Sequence, residues 1–266
     1  MLRSLQDLEG FTIGATDGDI GEVKDFYFDD EAWVIRYLVI DTGSWLSRRN
    51  VLISPLSIRH PDWSSHRLPV TVNSEHIKNS PGIDFDQPTS RQHEMRYLTY
   101  YGYPCYWGGA DSWMPDIYPR GDGLAPGGIG VPHARKERTS AQPHENDGLR
   151  LRSCKAIIGY HIKAIDGEIG HVETLLINED SWAVQYLVVN TSNWWLGHRV
   201  LIAPEWIDEV SWRDHTVSLD LKRATIRTSP HYESSEQLNR EREATLYDHY
   251  ERIGYWHIEA VIERLE

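Results

Sequence analysis

One seven-residue stretch decides the fold, and it occurs twice, reading DGDIGEV at residues 17–23 and DGEIGHV at residues 166–172. In each copy Asp-Gly separates two apolar runs, which favours a tight hairpin turn because both residues accept positive φ. The next glycine, Gly21 or Gly170, indicates a bulge or a close approach of backbone just after the turn. The residues that we predict to have a structural role in these turns are Asp17, Gly18, Gly21, Asp166, Gly167 and Gly170.

The similarity between the two copies extends far beyond the turn. Moving the chain by 149 residues superimposes it on itself without a gap, so that Leu2-Arg3-Ser4 recurs at residues 151–153. A gapless match of this length indicates two copies of one module. Between the copies the chain is rich in Gly and Pro and lacks apolar periodicity, which is typical of a linker. We predict a first repeat with its tail at 1–107, a linker at 108–150 and a second repeat with its tail at 151–266.

Each repeat is predicted to be mainly β. In the first repeat, residues 11–16, 20–28 and 33–40 form short strand-like runs separated by turn residues. Short strands at regular spacing are typical of a small barrel. The fold class is therefore predicted as two tandem small β-barrels.

A helical tail is predicted to follow each barrel. In the second repeat, Ser234 and Gln237 have the spacing of a capping box, which predicts a helix start. In the first repeat, Met95, Leu98 and Tyr101 are spaced to share one helix face.

Charge and composition exclude several classes of protein. With 27 Lys+Arg against 40 Asp+Glu the net charge is −13, which argues against a nucleic-acid partner. Two separated cysteines, Cys105 and Cys154, cannot form a disulfide framework or a four-cysteine zinc site. No apolar run is long enough to span a membrane, and Asp7 lies where a signal peptide would need apolar residues. We expect a cytoplasmic, non-spanning protein with no cofactor and no metal.

The loop after the central strand is the best candidate for a binding surface. Its two copies, residues 41–49 and 190–199, combine tryptophan with arginine, which is the composition of interaction hot spots. The alternative is that these tryptophans cap the end of the barrel. The candidate binding residues are Trp45, Arg48, Arg49, Trp194, Trp195, His198 and Arg199.

Eight of the 11 tryptophans form four pairs at the repeat offset, which indicates a duplicated aromatic framework. The three without an equivalent are Trp113, Trp195 and Trp206. Catalytic motifs are missing from the sequence: it has no nucleophile elbow, no phosphate-binding loop and no dinucleotide fingerprint. We therefore expect no catalytic residues and no enzymatic activity.

The order of these motifs resembles a known family. It runs from the Asp-Gly-x-Ile-Gly-x-Val hairpin through a Trp-x-x-x-Tyr-Leu-Val strand at 33–39 to Val-Leu-Ile-x-Pro at 51–55, and it occurs twice. This order is similar to that of the PRC-barrel family, named for the cytoplasmic barrel of the photosynthetic reaction centre H subunit. The resemblance implies two tandem PRC-type β-barrels, each with a C-terminal helical tail.

The function that this resemblance implies is binding and assembly. The partner would be a protein, with a membrane complex of photosynthetic electron transport as the specific expectation, so the protein would lie in the cytoplasm at the periphery of that complex. Two alternatives from the same fold remain open, a ribosome-maturation-type factor and a stress-response adaptor. A homodimer is left open as well.

Overall fold

The computed structural model describes residues 1–43, 46, 49–81, 91–105, 151–191, 198–233 and 238–256. The predicted linker at 108–150 lies outside this part of the chain, and the boundaries 1–107 and 151–266 stay predictions. In the first half the strands are β1 (Leu2–Ser4), β2 (Thr12–Ala15), β3 (Gly18–Asp29), β4 (Val34–Asp41), β5 (Asn50–Ile53) and β6 (Arg67–Pro69). The helices of this half are α1 (Leu5–Leu8), α2 (Ser74–Lys78) and α3 (Arg91–Tyr101).

The second half repeats this order of elements with one additional strand, β12. Its strands are β7 (Leu151–Ser153), β8 (His161–Ala164), β9 (Gly167–Asn178), β10 (Val184–Asn190), β11 (Arg199–Ile202), β12 (Ile207–Ser211) and β13 (Thr216–Leu219). Its helices are α4 (Cys154–Ile157), α5 (Arg223–Arg227) and α6 (Arg240–His249). A short 3₁₀ turn follows β5 at Pro55–Ser57 and β11 at Pro204–Trp206.

The strands form two mixed sheets. One has the order β5-β4-β3-β2-β6, with β7 paired to β3, and the other has the order β11-β10-β9-β8-β13-β12, with β1 paired to β9. In both sheets the second strand of the half pairs in parallel with its last strand. These pairs are β2 with β6 and β8 with β13. The mainly β class is confirmed. Within the described ranges neither sheet closes into a complete barrel, and barrel closure stays a prediction.

The duplicated hairpin has the geometry that its glycines require. Gly18 and Gly167 have φ of 147° and 132°, a region that side chains rarely occupy. The pairing of β2 with β3 shifts register between Ile13 and Gly14, because β3 has one extra residue, Ile20, between the partners of these two, which makes a bulge just after the turn. This bulge brings Gly21 against the next strand.

The core is built from the inward faces of β3, β4 and β5 and of their equivalents β9, β10 and β11. Trp33 and Trp182 are buried at the turn between the two long strands, and both have left-handed backbone, with φ of 54° and 57°. Tryptophan rarely adopts this conformation, so burial of the ring has to offset the strain. Trp206, which has no counterpart in the first repeat, is 1% exposed.

The two helical tails exist, with two differences from the sequence prediction. Helix α6 begins at Arg240, and the N-cap is Asn239, whose side chain accepts the amide of Arg242; the predicted capping box at 234–237 lies outside the described residues. In α3, Leu98 is buried but Met95 is 48% exposed, so Met95 does not share the buried face. On this helix the ring of Tyr97, and not the side chain of Met95, is buried in the core.

Candidate functional site

The structure describes three of the seven candidate binding residues, Arg49, His198 and Arg199. The other four, Trp45, Arg48, Trp194 and Trp195, lie outside the described residues. The base of each loop is therefore the part of the predicted surface whose geometry is known.

A buried threonine fixes the base of each loop. The Thr42 hydroxyl donates to the carbonyl of Arg49 at 2.6 Å, and the Thr191 hydroxyl donates to the carbonyl of His198 at 2.8 Å. In the second loop the backbone also pairs across the base, since the amide of Thr191 donates to the His198 carbonyl at 3.0 Å. These hydrogen bonds close each loop at its base.

The two described arginines make bonds within the fold. One guanidinium nitrogen of Arg49 donates to the carbonyl of Ser80 at 2.8 Å, just after the end of α2. Arg199 lies 2.6 Å from one carboxylate oxygen of Glu173, and the other oxygen accepts a hydrogen bond from the side-chain amide of Asn190. Burial by itself would raise the pKa of Glu173, but these two partners together lower it. Arg49 and Arg199 therefore support the loops as well as carrying charge near them.

The second repeat has a stacked pair of histidines beside its loop. The rings of His198 and His231 lie 3.8 Å apart at an interplanar angle of 20°. The residue equivalent to His198 in the first repeat is Arg49. This pair therefore distinguishes the second repeat from the first.

A groove with a volume of about 230 Å³ lies beside this histidine pair. Its lining combines the apolar side chains of Leu201 and Leu246 with the polar side chains of His231, Glu233 and Arg242. In the first repeat Tyr97 replaces Leu246, and its hydroxyl donates to the carbonyl of Leu52 at 3.0 Å. The groove in the second repeat is therefore lined by a leucine at a position where the first repeat has a tyrosine ring.

Each tail helix is attached to its sheet by a tyrosine and a buried glutamate. The Tyr37 hydroxyl donates to Glu94 at 2.9 Å, and the Tyr186 hydroxyl donates to Glu243 at 2.8 Å. The two glutamates are only 4% and 5% exposed. Burial, together with neighbouring Tyr247 and Glu243, raises the pKa of Tyr186 far above its ordinary value, so its hydroxyl remains a donor. Both members of the pair recur at the repeat offset, but recurrence alone does not indicate that the two residues are in contact.

We expect Tyr186→Phe to lower the free energy of unfolding by about 2 kcal/mol, because it removes a hydrogen bond to a buried carboxylate. Denaturation with urea, followed by circular dichroism, measures this change. The matched control is Tyr160→Phe, which removes a 3.4 Å bond to a neutral carbonyl, that of Trp212, and should cost below about 1 kcal/mol. Equal costs for the two variants would contradict the assigned role.

The aspartates of the two hairpin turns bind a helix that is distant in sequence. Asp17 accepts the amide of Ser74 at 2.8 Å, and Asp166 accepts the amide of Arg223 at 2.8 Å, at the first residue of α2 and of α5. The bonds from Ser74 lower the pKa of Asp17, and the bond from the Arg223 amide lowers that of Asp166. The turn motif is visible in the sequence, but its link to the helix is not.

The side chain of Cys105 is partly buried, and that of Cys154 is buried. Cys105 packs against a core cluster that contains Tyr97 and Leu98. Cys154 is buried, and burial next to Asp25 raises the pKa of its thiol well above the ordinary value. A thiol with a raised pKa is a poor nucleophile near neutral pH.

Asp25 is a half-buried carboxyl in β3. Burial raises the pKa of this carboxyl, against hydrogen bonds from the Ser153 hydroxyl at 2.6 Å and the Phe26 amide at 2.7 Å. The folded protein therefore holds this proton more tightly than the unfolded chain does. This contributes stability at low pH, which is lost as the pH rises from about 4, the ordinary value for Asp, through the raised pKa.

We expect Asp25→Asn to gain stability relative to the wild type as the pH rises from about 4 to about 7, because the amide cannot ionise. Urea denaturation of both proteins at several pH values measures the difference in free energy of unfolding. Asp7→Asn, at an exposed carboxylate, serves as the control for loss of one surface charge. A difference for Asp25→Asn that does not change with pH would contradict the role of burial.

The part of the chain that the structure describes contains neither a metal-binding cluster nor a membrane-spanning helix. No group of three or more His, Cys, Asp or Glu side chains in this part of the chain is arranged to hold a metal ion. Among the described helices none is long and apolar enough to cross a membrane.

Comparison with known families gives one match. Residues 2–71 match the PRC-barrel domain. The match runs from β1 past β6. It includes the first hairpin, the first candidate loop and the hydrogen bond from Thr42 to Arg49 at the base of that loop. No curated protein matches the chain. One PRC-barrel copy is thus supported in the first half, and this domain suggests a general module for protein interaction or assembly.

Proposed function

We propose that the protein is a non-enzymatic assembly module made of two PRC-type barrels, which binds a partner protein through the loops at 41–49 and 190–199. The observation that carries this proposal is the PRC-barrel match at residues 2–71. The second barrel is supported by the recurrence of the same elements from β7 to α6 at the repeat offset.

The positions of the loops support a binding role. Each loop has a threonine hydrogen bond at its base, and its sequence includes a tryptophan and an arginine. A fixed base reduces the conformational entropy that a loop loses when it binds. Tryptophan and arginine are the residues that most often dominate the binding energy of an interface.

The hydrogen bonds of four acidic side chains, two buried and two exposed, support a non-enzymatic role. Glu94 and Glu243 accept bonds from tyrosines that attach the tail helices, and Asp17 and Asp166 accept helix amides. Groups engaged in this way hold the fold together, whereas a catalytic acid or base has to reach a substrate proton.

The test is affinity capture with the immobilised full chain and with a matched pair of variants. Trp195→Ala removes the ring with no counterpart in the first loop, and Ile165→Ala removes an exposed apolar side chain at the hairpin between β8 and β9. Partner recovery that falls at least tenfold for Trp195→Ala, but not for Ile165→Ala, supports binding through the loop. Equal recovery by both variants overturns it.

The specific partner in this proposal is a membrane complex of photosynthetic electron transport, and its support is the resemblance to the reaction centre H subunit. Capture from detergent-solubilised membranes of a phototrophic host should recover subunits of that complex in a way that depends on Trp195. Recovery of other proteins alone would rule out the photosynthetic partner.

A further inference from the structure

The first strand of each half of the chain belongs to the sheet of the other half. Strand β1 pairs with β9, with Leu2 opposite Asn178. Strand β7 pairs with β3, with Leu151 opposite Asp29. One compact unit accordingly consists of residues 1–6, 156–179 and 184–266, and the other of residues 7–155 and 180–183.

Side chains fix the first of these exchanged strands. Arg3 donates to a carboxylate oxygen of Glu179 at 2.9 Å, and the amino group of Met1 lies 3.3 Å from the same carboxylate. The hydroxyls of Ser4 and Thr174 are 3.2 Å apart in a buried position. The strand is therefore bound by polar contacts as well as by its backbone.

The second exchanged strand has equivalent contacts. Arg152 lies 3.2 Å from Asp30, at the positions that correspond to Arg3 and Glu179. The side chain of Leu151 is part of the core cluster that includes Tyr37. Removal of this strand would expose the edge of β3 and open the core at Leu151, so the first half by itself is incomplete.

The contacts favour exchange over pairing within one half. Lys155, directly after β7, forms an ion pair with Glu9 at 2.9 Å. If the first half used its own first strand, Gln6 would replace this lysine, and if the second half did so, Ile158 would replace Glu9. The ion pair forms only when the second half donates its strand to the first.

We propose that the two halves of this chain are reciprocal strand donors, so that each half is completed by the first strand of the other half of the same molecule. This interaction is strand addition to a sheet edge, with an occupant that the chain itself supplies. The covalent connection raises the effective concentration of each strand, which favours exchange within one chain over exchange between chains. The inference does not depend on the proposed function.

A disulfide experiment on the full chain tests this proposal. The background carries Cys105→Ala and Cys154→Ala, together with a protease site inserted at Gly127-Gly128. Leu2→Cys with Asn178→Cys places thiols at directly opposed positions, where a disulfide fits. Leu151→Cys with Asn178→Cys is the matched control, since these positions would be opposed only if the second half used its own first strand.

After mild oxidation we expect free thiols to be lost almost completely for the first pair and retained for the control pair. Uncleaved protein should run as a monomer on a non-reducing gel, and cleavage should leave its two fragments linked. Loss of thiols in the control pair instead of the first pair would overturn the proposal. Disulfide-linked dimers of the first pair would show exchange between molecules and would overturn the intramolecular assignment.

Discussion

Replacement of Gly170 by alanine should lower the free energy of unfolding by about 3 kcal/mol or more, because the added methyl group has no space. A Cβ built at this position overlaps the backbone carbonyl oxygen of Asn190 in β10 and lies 3.0 Å from the Cα of Thr191. Backbone in the centre of a sheet cannot move aside as the end of a flexible side chain can. Strand β9 would have to separate from β10 after the bulge. This would also disturb the hydrogen bond from Thr191 to His198 at the base of the second loop.

The matched control is Gly159→Ala in the same half. Gly159 has φ of 84°, with no atom near the added Cβ, so this variant carries only the strain of left-handed backbone, about 1–2 kcal/mol. Urea denaturation measures both costs, and amide hydrogen exchange at residues 188–190 should increase only in Gly170→Ala. If Gly170→Ala cost no more than Gly159→Ala, the close approach of the two strands would be wrong. Gly21→Ala should behave as Gly170→Ala does, since its Cβ overlaps the Asp41 carbonyl in the same way.

These glycines also show how much of the fold is predictable from the sequence. The Asp-Gly turn, the glycine after it and the short apolar strands depend on local conformational preferences, and each is visible within about ten residues. The tail helices follow from apolar spacing, although their limits do not: Asn239 caps α6 because its side chain reaches the amide of Arg242. The exposure of Met95 could not be predicted, because helical spacing indicates which residues share a face but not what covers that face.

The remaining features depend on contacts between distant residues. Leu2-Arg3-Ser4 and Leu151-Arg152-Ser153 are the same tripeptide, so the sequence could not indicate which copy pairs with β3 and which with β9. The bond from Ser74 to Asp17 spans 57 residues, and no local pattern connects the two. Of the candidate loop residues, Arg49 and Arg199 have structural bonds that depend on partners elsewhere in the fold.

Trp206 shows how the two repeats fill the same space with rings from different elements. Its ring lies 4.5 Å from that of Tyr250. In the first repeat the residue equivalent to Tyr250 is Tyr101, and the ring stacked on it, at 5.5 Å, is that of Tyr103 from the tail. The residue equivalent to Trp206 is Ser57, whose hydroxyl bonds to the Tyr103 hydroxyl.

The backbone at the tail position is the same in both repeats. The amide of Tyr103 donates to the carbonyl of Leu98 at 2.8 Å, and the amide of its equivalent, Arg252, donates to the carbonyl of Tyr247 at 2.9 Å. The repeats therefore differ in which residue supplies the ring, Tyr103 from the tail or Trp206 from the 3₁₀ turn. Trp206, one of the three unpaired tryptophans, is thus a core residue.

We expect Trp206→Ser to cost about 3–5 kcal/mol in the free energy of unfolding, because it empties a buried site of ring size. Addition of Arg252→Tyr should recover about 1 kcal/mol or more, since the new ring can take the place that Tyr103 occupies in the first repeat. Trp206→Ser with Arg252→Ala is the control, and it should recover nothing, because it too breaks the bond between Arg252 and Asp220 without supplying a ring. Urea denaturation of the wild type and the three variants provides the comparison. If tyrosine and alanine at position 252 had the same effect, the exchange of rings between the two elements would be wrong.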